Sequence, residues 1–403
     1  MKYRYDAVII GGGASGLMCA IAAKRKKPNL KIAIIEKNDR VGKKLLATGN
    51  GRCNLTNDNV CADRYVGSTE VAKSVINRID THTLLEYFNG LGLMTSKDSE
   101  WRWYPLSRQA SSVLDVLRFN CENLGIDIFC KQTIRSVSNH NGYLIKTAED
   151  EFFSDKLVIA SGSKAAPKLG GSASTADYLK NFGHRTAPFS PALCPITVRS
   201  DVLRSLKGLR ANAEVCLRQP GKPEKRERGE VQFNEDNLSG ICVFNLSLYT
   251  DSYSEISLDL LPDISNKELF NILIENKERF GKQCADNIFT GIMQKRLAQA
   301  VLKTSGVRDF SRKCGTLEDS ELKAAATTAK NMRFEIVENA GFDRAQACRG
   351  GVTVKGQLDT TTLESKLMKN LFICGEALDV CGECGGYNLH FAFATGIIAG
   401  ENL

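Results

Sequence analysis

Residues 5–26 read YDAVIIGGGASGLMCAIAAKRK, and this stretch decides the fold. The short apolar run at residues 7–10 predicts a buried strand, and the Ala- and Leu-rich segment after the glycines predicts a helix. Between them stands Gly11-x-Gly13-x-x-Gly16. In such a turn the first glycine allows a tight bend and the second lets the backbone approach a pyrophosphate. The third glycine lets the helix pack closely on the strand.

The predicted helix begins at Ala14 and Ser15, so its free N–H groups and the positive end of its dipole would face bound phosphates. A second apolar strand, LKIAIIEK, carries Glu36 near its end. This acid follows Gly16 by about 20 residues, the distance at which a dinucleotide-binding unit places a carboxylate on the ribose hydroxyls. The chain therefore opens with a predicted dinucleotide-binding Rossmann unit.

The next stretch, KNDRVGKKLLATGNGRCNLTN at residues 37–57, favours FAD over NAD. An NAD-binding domain would continue with regular alternation of strands and helices, whereas this stretch predicts a long loop rich in Gly, Asn and basic residues. A loop of this length inside a compact domain is usually functional. Its glycines, Gly42, Gly49 and Gly51, would let backbone amides approach the polar edge of a flat ring.

Composition sets broad limits on the function. A chain of 403 residues is long enough for two or three domains, or for one domain carrying an insertion. The net charge of +8 is compatible with an anionic ligand, with RNA, or with an ordinary solvated surface. No segment has the core of a signal peptide or the roughly 20 apolar residues of a membrane span. We therefore expect a cytoplasmic protein without a membrane partner, whose 14 scattered cysteines stay reduced.

Longer motifs resemble a known family. GGGASGLMCAI, GKKLLATGNGRCNLTN and LFICGEALDVCGECGGYNLHFAFATGIIAG are similar to segments of the BaiN/YhiN-type flavoproteins, which are grouped with the aminoacetone-oxidase-like FAD-binding enzymes. The resemblance spans essentially the whole chain. It implies an α/β fold with a glutathione-reductase-like, FAD-binding Rossmann domain that holds FAD non-covalently. It also implies an inserted domain made of a β-barrel and a small helical part.

The hydrophobic pattern agrees with that layout. We predict the two parts of the FAD-binding domain at residues 1–190 and 341–403, with the inserted domain at 191–340 between them. Short alternating segments such as EVCLRQP, GEVQF and ICVFNLSLY predict barrel strands at about 191–256. The segments NKELFNILIENKERF and MQKRLAQAVLK have helical spacing and predict the helical part at about 266–332.

The resemblance also implies where the cofactor lies. Glu376, at the end of a buried strand, would hydrogen-bond the ribityl or pyrophosphate region, and the helix starting near Gly386 would direct its amides at the flavin. We expect Cys53, Tyr387 and His390 as candidate catalytic residues, although a core histidine is an alternative for His390. The full set of expected FAD-binding residues is Gly11, Gly13, Ala14, Ser15, Gly16, Glu36, Lys37, Lys43, Gly49, Gly51, Arg52, Cys53, Asn54, Ile134, Gly162, Gly375, Glu376, Gly386, Tyr387, Asn388 and Leu389.

The Cys381-x-x-Cys384 motif allows three interpretations: half of a metal site, a redox disulfide, or loop cysteines that shape the flavin pocket. A metal site needs about four ligands, but the sequence has no second Cys-x-x-Cys and only four histidines, so we expect no metal. A thiol before a helix N-terminus can be reactive. Disulfide reductases of this fold, however, carry a second Gly-x-Gly-x-x-Gly for NADPH, which this sequence lacks. The loop interpretation is therefore favoured, and the redox pair remains open.

The expected function is that of an FAD-dependent oxidoreductase. The resemblance implies NAD(P)H-driven reduction of a conjugated C=C bond in a flat small molecule, such as a 3-dehydro bile acid-type enone. It also implies two alternatives: uridine reduction in ribosomal RNA, or amine oxidation of the aminoacetone type. Cys381 and Cys384 allow a further, non-catalytic alternative, a flavin-bound redox sensor. The basic segment KPEKRERGE is a hairpin tip or an RNA contact, and Trp101, Trp103 and Tyr104 are core residues or a platform for a flat substrate. The oligomeric state is left open.

Overall fold

The computed structural model describes residues 1–250 and 254–403. The chain divides into two compact units, one made of residues 1–192 and 342–403 and the other of residues 193–341. The predicted domain boundaries lie within two residues of these divisions. The assignment of these units as an FAD-binding domain and an inserted domain stays a prediction.

The described residues form strands that we number in chain order. They are β1 (Lys2–Ile10), β2 (Ile32–Ile35), β3 (Thr56–Asn57), β4 (Tyr65–Gly67), β5 (Thr95–Lys97), β6 (Arg102–Pro105), β7 (Asp127–Phe129), β8 (Ile134–Asn139), β9 (Tyr143–Thr147), β10 (Glu151–Ile159), β11 (Thr186–Ala192), β12 (Ile196–Arg199), β13 (Arg210–Arg218), β14 (Lys225–Phe233), β15 (Asn237–Ser239), β16 (Glu255–Asp259), β17 (Met332–Asn339), β18 (Ala347–Val352), β19 (Leu371–Ile373) and β20 (Val380–Gly382).

The α-helices are numbered in the same way. They are α1 (Ala14–Lys26), α2 (Lys43–Ala47), α3 (Thr69–Arg78), α4 (Thr81–Asn89), α5 (Ala110–Asn123), α6 (Ser174–Lys180), α7 (Ile241–Ser247), α8 (Asn266–Arg279), α9 (Lys295–Thr304), α10 (Asp319–Lys330) and α11 (Tyr387–Glu401).

The first unit is built on a sheet of seven strands in the order β7-β2-β1-β10-β9-β8, with β19 also paired to β10. Strands β7, β2, β1, β10 and β19 run parallel, as expected of a Rossmann fold. The long strand β10 has two roles. Its first half pairs with the antiparallel meander through Phe152 and Ile145, and its second half pairs with β19 through Val158 and Phe372.

Helices α1 and α11 bring the two ends of the chain together. α11 is buried on nearly every side, which is typical of a helix in the middle of a core. Two of its glycines allow the close approach: a Cβ at Gly396 would lie 2.5 Å from the carbonyl oxygen of Ser15, and one at Gly400 would lie 2.3 Å from that of Cys19. The chain termini are therefore packed into one core next to the glycine turn.

Three small sheets complete the first unit. Strands β3, β6 and β5 form an antiparallel sheet in the order β3-β6-β5, directly after the glycine-rich loop. Strand β20, which contains Cys381 but not Cys384, pairs with β4, and β11 pairs with β18.

The second unit contains a closed barrel in the order β12-β15-β14-β13-β16-β17, together with helices α7 to α10. Two details differ from the sequence prediction. The segment ICVFNLSLY, predicted as a strand, begins with helix α7. The barrel also extends beyond the predicted range, because β17 follows the helical part and pairs with both β12 and β16.

Within the described parts of the chain, no helix is both long and apolar enough to span a bilayer.

Candidate active site

The glycine turn after β1 has the geometry that its motif predicts. Gly11 has φ of +110°, and a Cβ there would lie 2.4 Å from the carbonyl oxygen of Ala160. A Cβ at Gly16 would lie 1.9 Å from the carbonyl oxygen of Gly11, so only glycine lets α1 pack this closely on the strand. A Cβ at Gly13 would meet no atom within 4 Å. The space beside Gly13 and the start of α1 therefore fits a pyrophosphate.

The second predicted contact, Glu36, lies at the end of β2 with only 7% of its surface exposed. One carboxylate oxygen accepts a hydrogen bond from Gly12 N–H, and the other accepts from the backbone and side-chain N–H groups of Asn38, all at 2.8 Å. The oxygen bound by Asn38 has both lone pairs in use, so the oxygen bound by Gly12 keeps one lone pair for a ribose hydroxyl. The Gln132 N–H donates to the Glu36 carbonyl at 2.9 Å, two residues before β8 begins at Ile134.

The carboxyl end of β19 carries an ion pair that joins the two halves of the unit. Lys44 donates to both oxygens of Glu376, at 3.0 and 2.7 Å, and the Ser163 hydroxyl donates to one of them at 2.9 Å. Lys43, which the sequence predicts to bind the cofactor, pairs with Asp39 at 2.7 Å, and its contact with FAD stays a prediction. Lys44 and Ser163, which contact Glu376, were not predicted from the sequence.

The remaining strand-end residues are close to this pair. Gly162 follows β10 with φ of +74°, and a Cβ there would lie 3.9 Å from Glu376 Oε2. Gly375 has φ of +67°, and its Cβ would lie 2.5 Å from the Ser15 hydroxyl of α1. Lys37 is exposed beside Glu36. The structure thus brings the ends of β2, β10 and β19 to one edge, where ligands bind in open α/β sheets.

The loop between α2 and β3 has an unusual backbone. Gly49, Asn50, Gly51 and Cys53 all have φ between +55° and +81°, which is uncommon for the two residues with a Cβ. Such strain costs roughly 1–3 kcal/mol per residue and is concentrated at functional sites. The Cys53 N–H donates to the carbonyl of Thr48 at 3.0 Å, and burial raises the pKa of the Cys53 thiol to about 12. Cys53 is therefore a neutral thiol at physiological pH.

Asn54, next in this loop, provides the clearest sign of a ligand. Its side chain is only 9% exposed, and within residues 1–250 and 254–403 its Oδ1 atom has no hydrogen-bond donor. A buried acceptor without a donor costs about 1–3 kcal/mol, so a bound group with an N–H is expected there. A flavin ring has such an N–H. Gly386 is next to it: a Cβ at this glycine would lie 2.8 Å from Asn54 Oδ1 and 2.7 Å from the carbonyl oxygen of Thr56.

The first turn of α11 supplies the other side of this site. The hydroxyl of Tyr65 donates to the Tyr387 carbonyl at 2.8 Å, and the two rings lie edge to face. The side chain of Asn388 is used inside the protein: it accepts from Gly382 N–H at 2.9 Å and donates to the Gly382 carbonyl at 2.7 Å. Leu389 is half-buried against the core. Asn388 and Leu389 could thus contribute to cofactor binding through their backbone N–H groups at the positive end of the helix.

His390 has both ring nitrogens occupied inside the core. Its Nε2 is 2.9 Å from the carbonyl of Ile79, which can only accept, so Nε2 carries the proton and Nδ1 accepts from the Thr56 hydroxyl at 2.8 Å. The residue is fully buried, and burial lowers its pKa to about 4. This geometry favours a core histidine over a proton donor.

His390 should therefore make stability depend on pH. In the unfolded chain its pKa is about 6.5, so the neutral form stabilises the fold above pH 6.5, and this contribution is lost as the pH falls toward 4. The difference amounts to about 3 kcal/mol. Between pH 6.5 and pH 4, the free energy of unfolding should fall by about 3 kcal/mol more in the wild type than in His390→Asn. Urea titration at each pH measures it. His82→Asn, at an exposed position, should follow the wild type. Parallel curves for the wild type and His390→Asn would contradict the assignment.

The Cys-x-x-Cys motif lies beside this helix start, in a loop that is held by other groups. Glu383 N–H donates to the carbonyl of Arg64 at 3.0 Å, and the two side chains form an ion pair at 2.9 Å. Within the described residues, Cys381 and Cys384 form no disulfide. Cys381 is 1% exposed, and burial raises its pKa well above the ordinary value, so it stays protonated. This environment favours loop cysteines over a redox pair. No group of three or more metal-ligating side chains occurs in the described residues.

Comparison with known proteins agrees with this geometry. The family described as HI0933-like protein Rossmann domain matches residues 5–402. The chain is 33% identical over 401 residues to the 3-dehydro-bile acid delta(4,6)-reductase of Clostridium scindens, an alignment that covers 98% of this chain and 97% of that protein. It is 26% identical over 404 residues to the ribosomal RNA dihydrouridine synthase of Escherichia coli, covering 99% and 98% of the two chains.

Solved structures show the same fold at low identity. The 3-ketosteroid-delta4-(5alpha)-dehydrogenase of Rhodococcus jostii matches with a TM-score of 0.51 at 12% identity, covering 99% of this chain and 96% of that one. FrdA of E. coli quinol fumarate reductase matches with a TM-score of 0.51 at 14% identity, covering 100% and 70%. At such identities the likeness establishes the fold alone.

These findings confirm the predicted FAD-binding Rossmann fold with its barrel, and they confirm the prediction of an FAD-dependent oxidoreductase at the level of the enzyme class. The BaiN/YhiN-type resemblance is confirmed as well. The chain belongs to the HI0933-like family of Rossmann-domain proteins.

Proposed function

We propose that this protein uses FAD to reduce a conjugated C=C bond in a flat, apolar small molecule of the 3-oxo-4-ene type. The observation that carries the proposal is the 33% identity, from end to end, with a relative named as a 3-dehydro-bile acid delta(4,6)-reductase. Bound FAD, once reduced, supplies the hydride for the β-carbon. We assign its reduction to NAD(P)H, which would dock transiently because the sequence has no second dinucleotide-binding motif.

The protein's own residues bind and orient the cofactor in this proposal. The glycine turn and the start of α1 hold the pyrophosphate, and Glu36 holds a ribose. The carboxylate of Glu376, fixed by Lys44, lies at the strand end between the two halves of the site. Asn54 accepts a hydrogen bond from the ring, and the N-terminal end of α11 stabilises negative charge there.

For proton transfer we propose Tyr387 among the three candidate catalytic residues. His390 is enclosed and fully hydrogen-bonded, and Cys53 belongs to the strained loop but is fully buried. The Tyr387 ring lies against the loop, since a Cβ at Gly385 would be 3.2 Å from its Cε2. A phenol at this point can donate the proton that the α-carbon of the enone needs.

The alternative function, uridine reduction in ribosomal RNA, is supported by relatives at 26% and 24% identity that carry that activity in their names. The basic segment KPEKRERGE in the second unit was the other reason to consider RNA. Residues 193–341, however, contain 22 Lys and Arg against 21 Asp and Glu, so their net charge is +1. The basic hairpin is also internally paired: Arg226 binds Glu214 and Glu224 at 2.6 and 2.9 Å, and Arg228 binds Asp263 at 2.5 Å. We therefore rank this function second.

An anaerobic experiment tests the proposal. The FAD-loaded protein is reduced and then mixed with a 3-oxo-4-ene steroid, a uridine-containing RNA, an aliphatic amine product analogue, or oxygen. We expect the enone to reoxidise the cofactor fastest. Tyr387→Phe should slow this step by about 10²- to 10⁴-fold without changing reduction by NAD(P)H. Reoxidation by RNA alone, or by oxygen alone, would contradict the proposal.

A further inference from the structure

Two arginines stack on a single tyrosine beside the strained loop. Tyr104, on β6, is only 2% exposed, whereas Arg52 is exposed and Arg108 is half-buried. The guanidinium carbons of Arg52 and Arg108 lie 5.4 and 4.7 Å from the centre of the Tyr104 ring. A Cβ at Gly49 would lie 3.8 Å from the Tyr104 ring, so this cluster adjoins the loop that we place at the flavin.

Neither arginine has an acidic partner in the parts of the chain that the structure describes. Arg52 donates through Nε to the Gly49 carbonyl at 3.1 Å, and its two terminal NH₂ groups make no hydrogen bond with the described residues. Arg102, on the same strand as Tyr104, shows the contrast: it pairs with Asp98 and Glu100, both at 2.9 Å. Two cations that stack on one ring repel each other. The cation–π interaction with the tyrosine stabilises each arginine by only about 0.5–1 kcal/mol. An anion held between them would remove that repulsion.

The surface next to this cluster is apolar. Leu106 N–H donates to the Met94 carbonyl at 2.8 Å, which extends the β5–β6 ladder by one step. By strand alternation Leu106 and Met94 lie on the same face as Tyr104. Their side chains are 56% and 67% exposed, high values for large apolar residues. A cationic pair thus adjoins an exposed apolar pair.

We propose that Arg52 and Arg108 bind the carboxylate of an amphipathic substrate, whose flat apolar body extends over Leu106 and Met94. This inference rests on the proposed function and narrows its substrate class to apolar acids. Guanidinium groups suit this task because they donate two parallel hydrogen bonds to one carboxylate. The net charge of +7 in the first unit, from 32 Lys and Arg against 25 Asp and Glu, would draw such an anion toward this face.

The test compares a steroid carboxylic acid with its methyl ester on the FAD-loaded protein. Affinity is measured by calorimetry with saturated compounds, and kcat/KM is measured with the corresponding enones. We expect the wild type to prefer the acid, and Arg108→Gln to reduce that preference about 10- to 100-fold, the effect of losing a charge-assisted hydrogen bond. Arg108→Lys should lose part of it. Arg118→Gln, which removes an exposed arginine of α5, should keep the full preference.

The possible results distinguish a failure of the carboxylate site from a failure of the proposed reaction. The carboxylate site is refuted if the acid and the ester bind the wild type with equal affinity. It is also refuted if Arg108→Gln prefers the acid as strongly as the wild type does. If a uridine-containing RNA displaces the acid, and does so less well in Arg108→Gln, the anion at this site is a nucleic acid phosphate and the inference is wrong. If the acid preference in binding depends on Arg108 but no enone is reduced, the site stands and the proposed reaction fails.

Discussion

Gly13→Val is expected to abolish FAD retention while the protein still folds. Gly13 has φ of −86° and ψ of −169°, which any residue can adopt, and a Cβ there would meet no protein atom within 4 Å. The added side chain would instead fill the space into which we place the pyrophosphate. Losing the backbone hydrogen bonds to that charged group should weaken FAD binding by at least about 100-fold. Titration of the apo-protein with FAD gives the affinity, and urea unfolding gives the stability.

Gly341→Val is the matched control for this change. Its Cβ would also meet open space, but it lies in the other unit, so FAD affinity should equal that of the wild type. The free energy of unfolding of apo Gly13→Val should stay within about 0.5 kcal/mol of the wild-type apo-protein, as for surface substitutions. Normal FAD affinity in Gly13→Val would show that the pyrophosphate lies elsewhere.

Gly400→Ala should be the most destabilising single-methyl change in α11. The new Cβ would lie 2.3 Å from the carbonyl oxygen of Cys19 and 2.9 Å from the Cβ of Ala22, so α1 and α11 must move apart. Overpacking costs typically 1–3 kcal/mol, and more when the obstructing atom belongs to the backbone. The better helix propensity of alanine returns about 1 kcal/mol. We expect a net loss of about 3 kcal/mol in the free energy of unfolding, measured by urea titration.

FAD affinity should fall in the same variant, because α1 begins at the glycine turn and α11 begins at Gly386. Gly90→Ala serves as the control: its Cβ would meet nothing closer than 3.5 Å at the end of α4, so stability should change little. If Gly400→Ala were as stable as the wild type, the close packing of the two terminal helices would be wrong.

The elements found correctly from the sequence are those whose signal is local. The glycine turn lies between one strand and one helix, and Gly11 and Gly16 each have a distinct steric reason to be there. Helix α7 was missed because a short apolar run such as ICVFNLSLY fits a buried strand and a buried helix equally well. Strand β17 was not predicted as part of the barrel. It closes the barrel by pairing with β12 and β16, and long stretches of chain separate it from both strands.

The candidate site shows the same limit. The stretch at residues 37–57 was predicted as a loop, but it contains the short helix α2, which starts after Gly42 with φ of +71°. Lys44 binds Glu376 and Lys43 binds Asp39 because adjacent residues of a helix point in different directions. The sequence alone does not show which of the two lysines faces Glu376. The arginine pair on Tyr104 likewise depends on the fold of two separate segments.

The central claim is that the two ends of the chain form one site for FAD. The most direct measurement is the amount of FAD released on denaturing the purified protein after incubation with FAD and removal of the unbound cofactor. We expect a yellow protein with one FAD per chain, and a lower FAD content in Gly13→Val and in Gly400→Ala. A colourless wild-type protein that takes up no added FAD would contradict it.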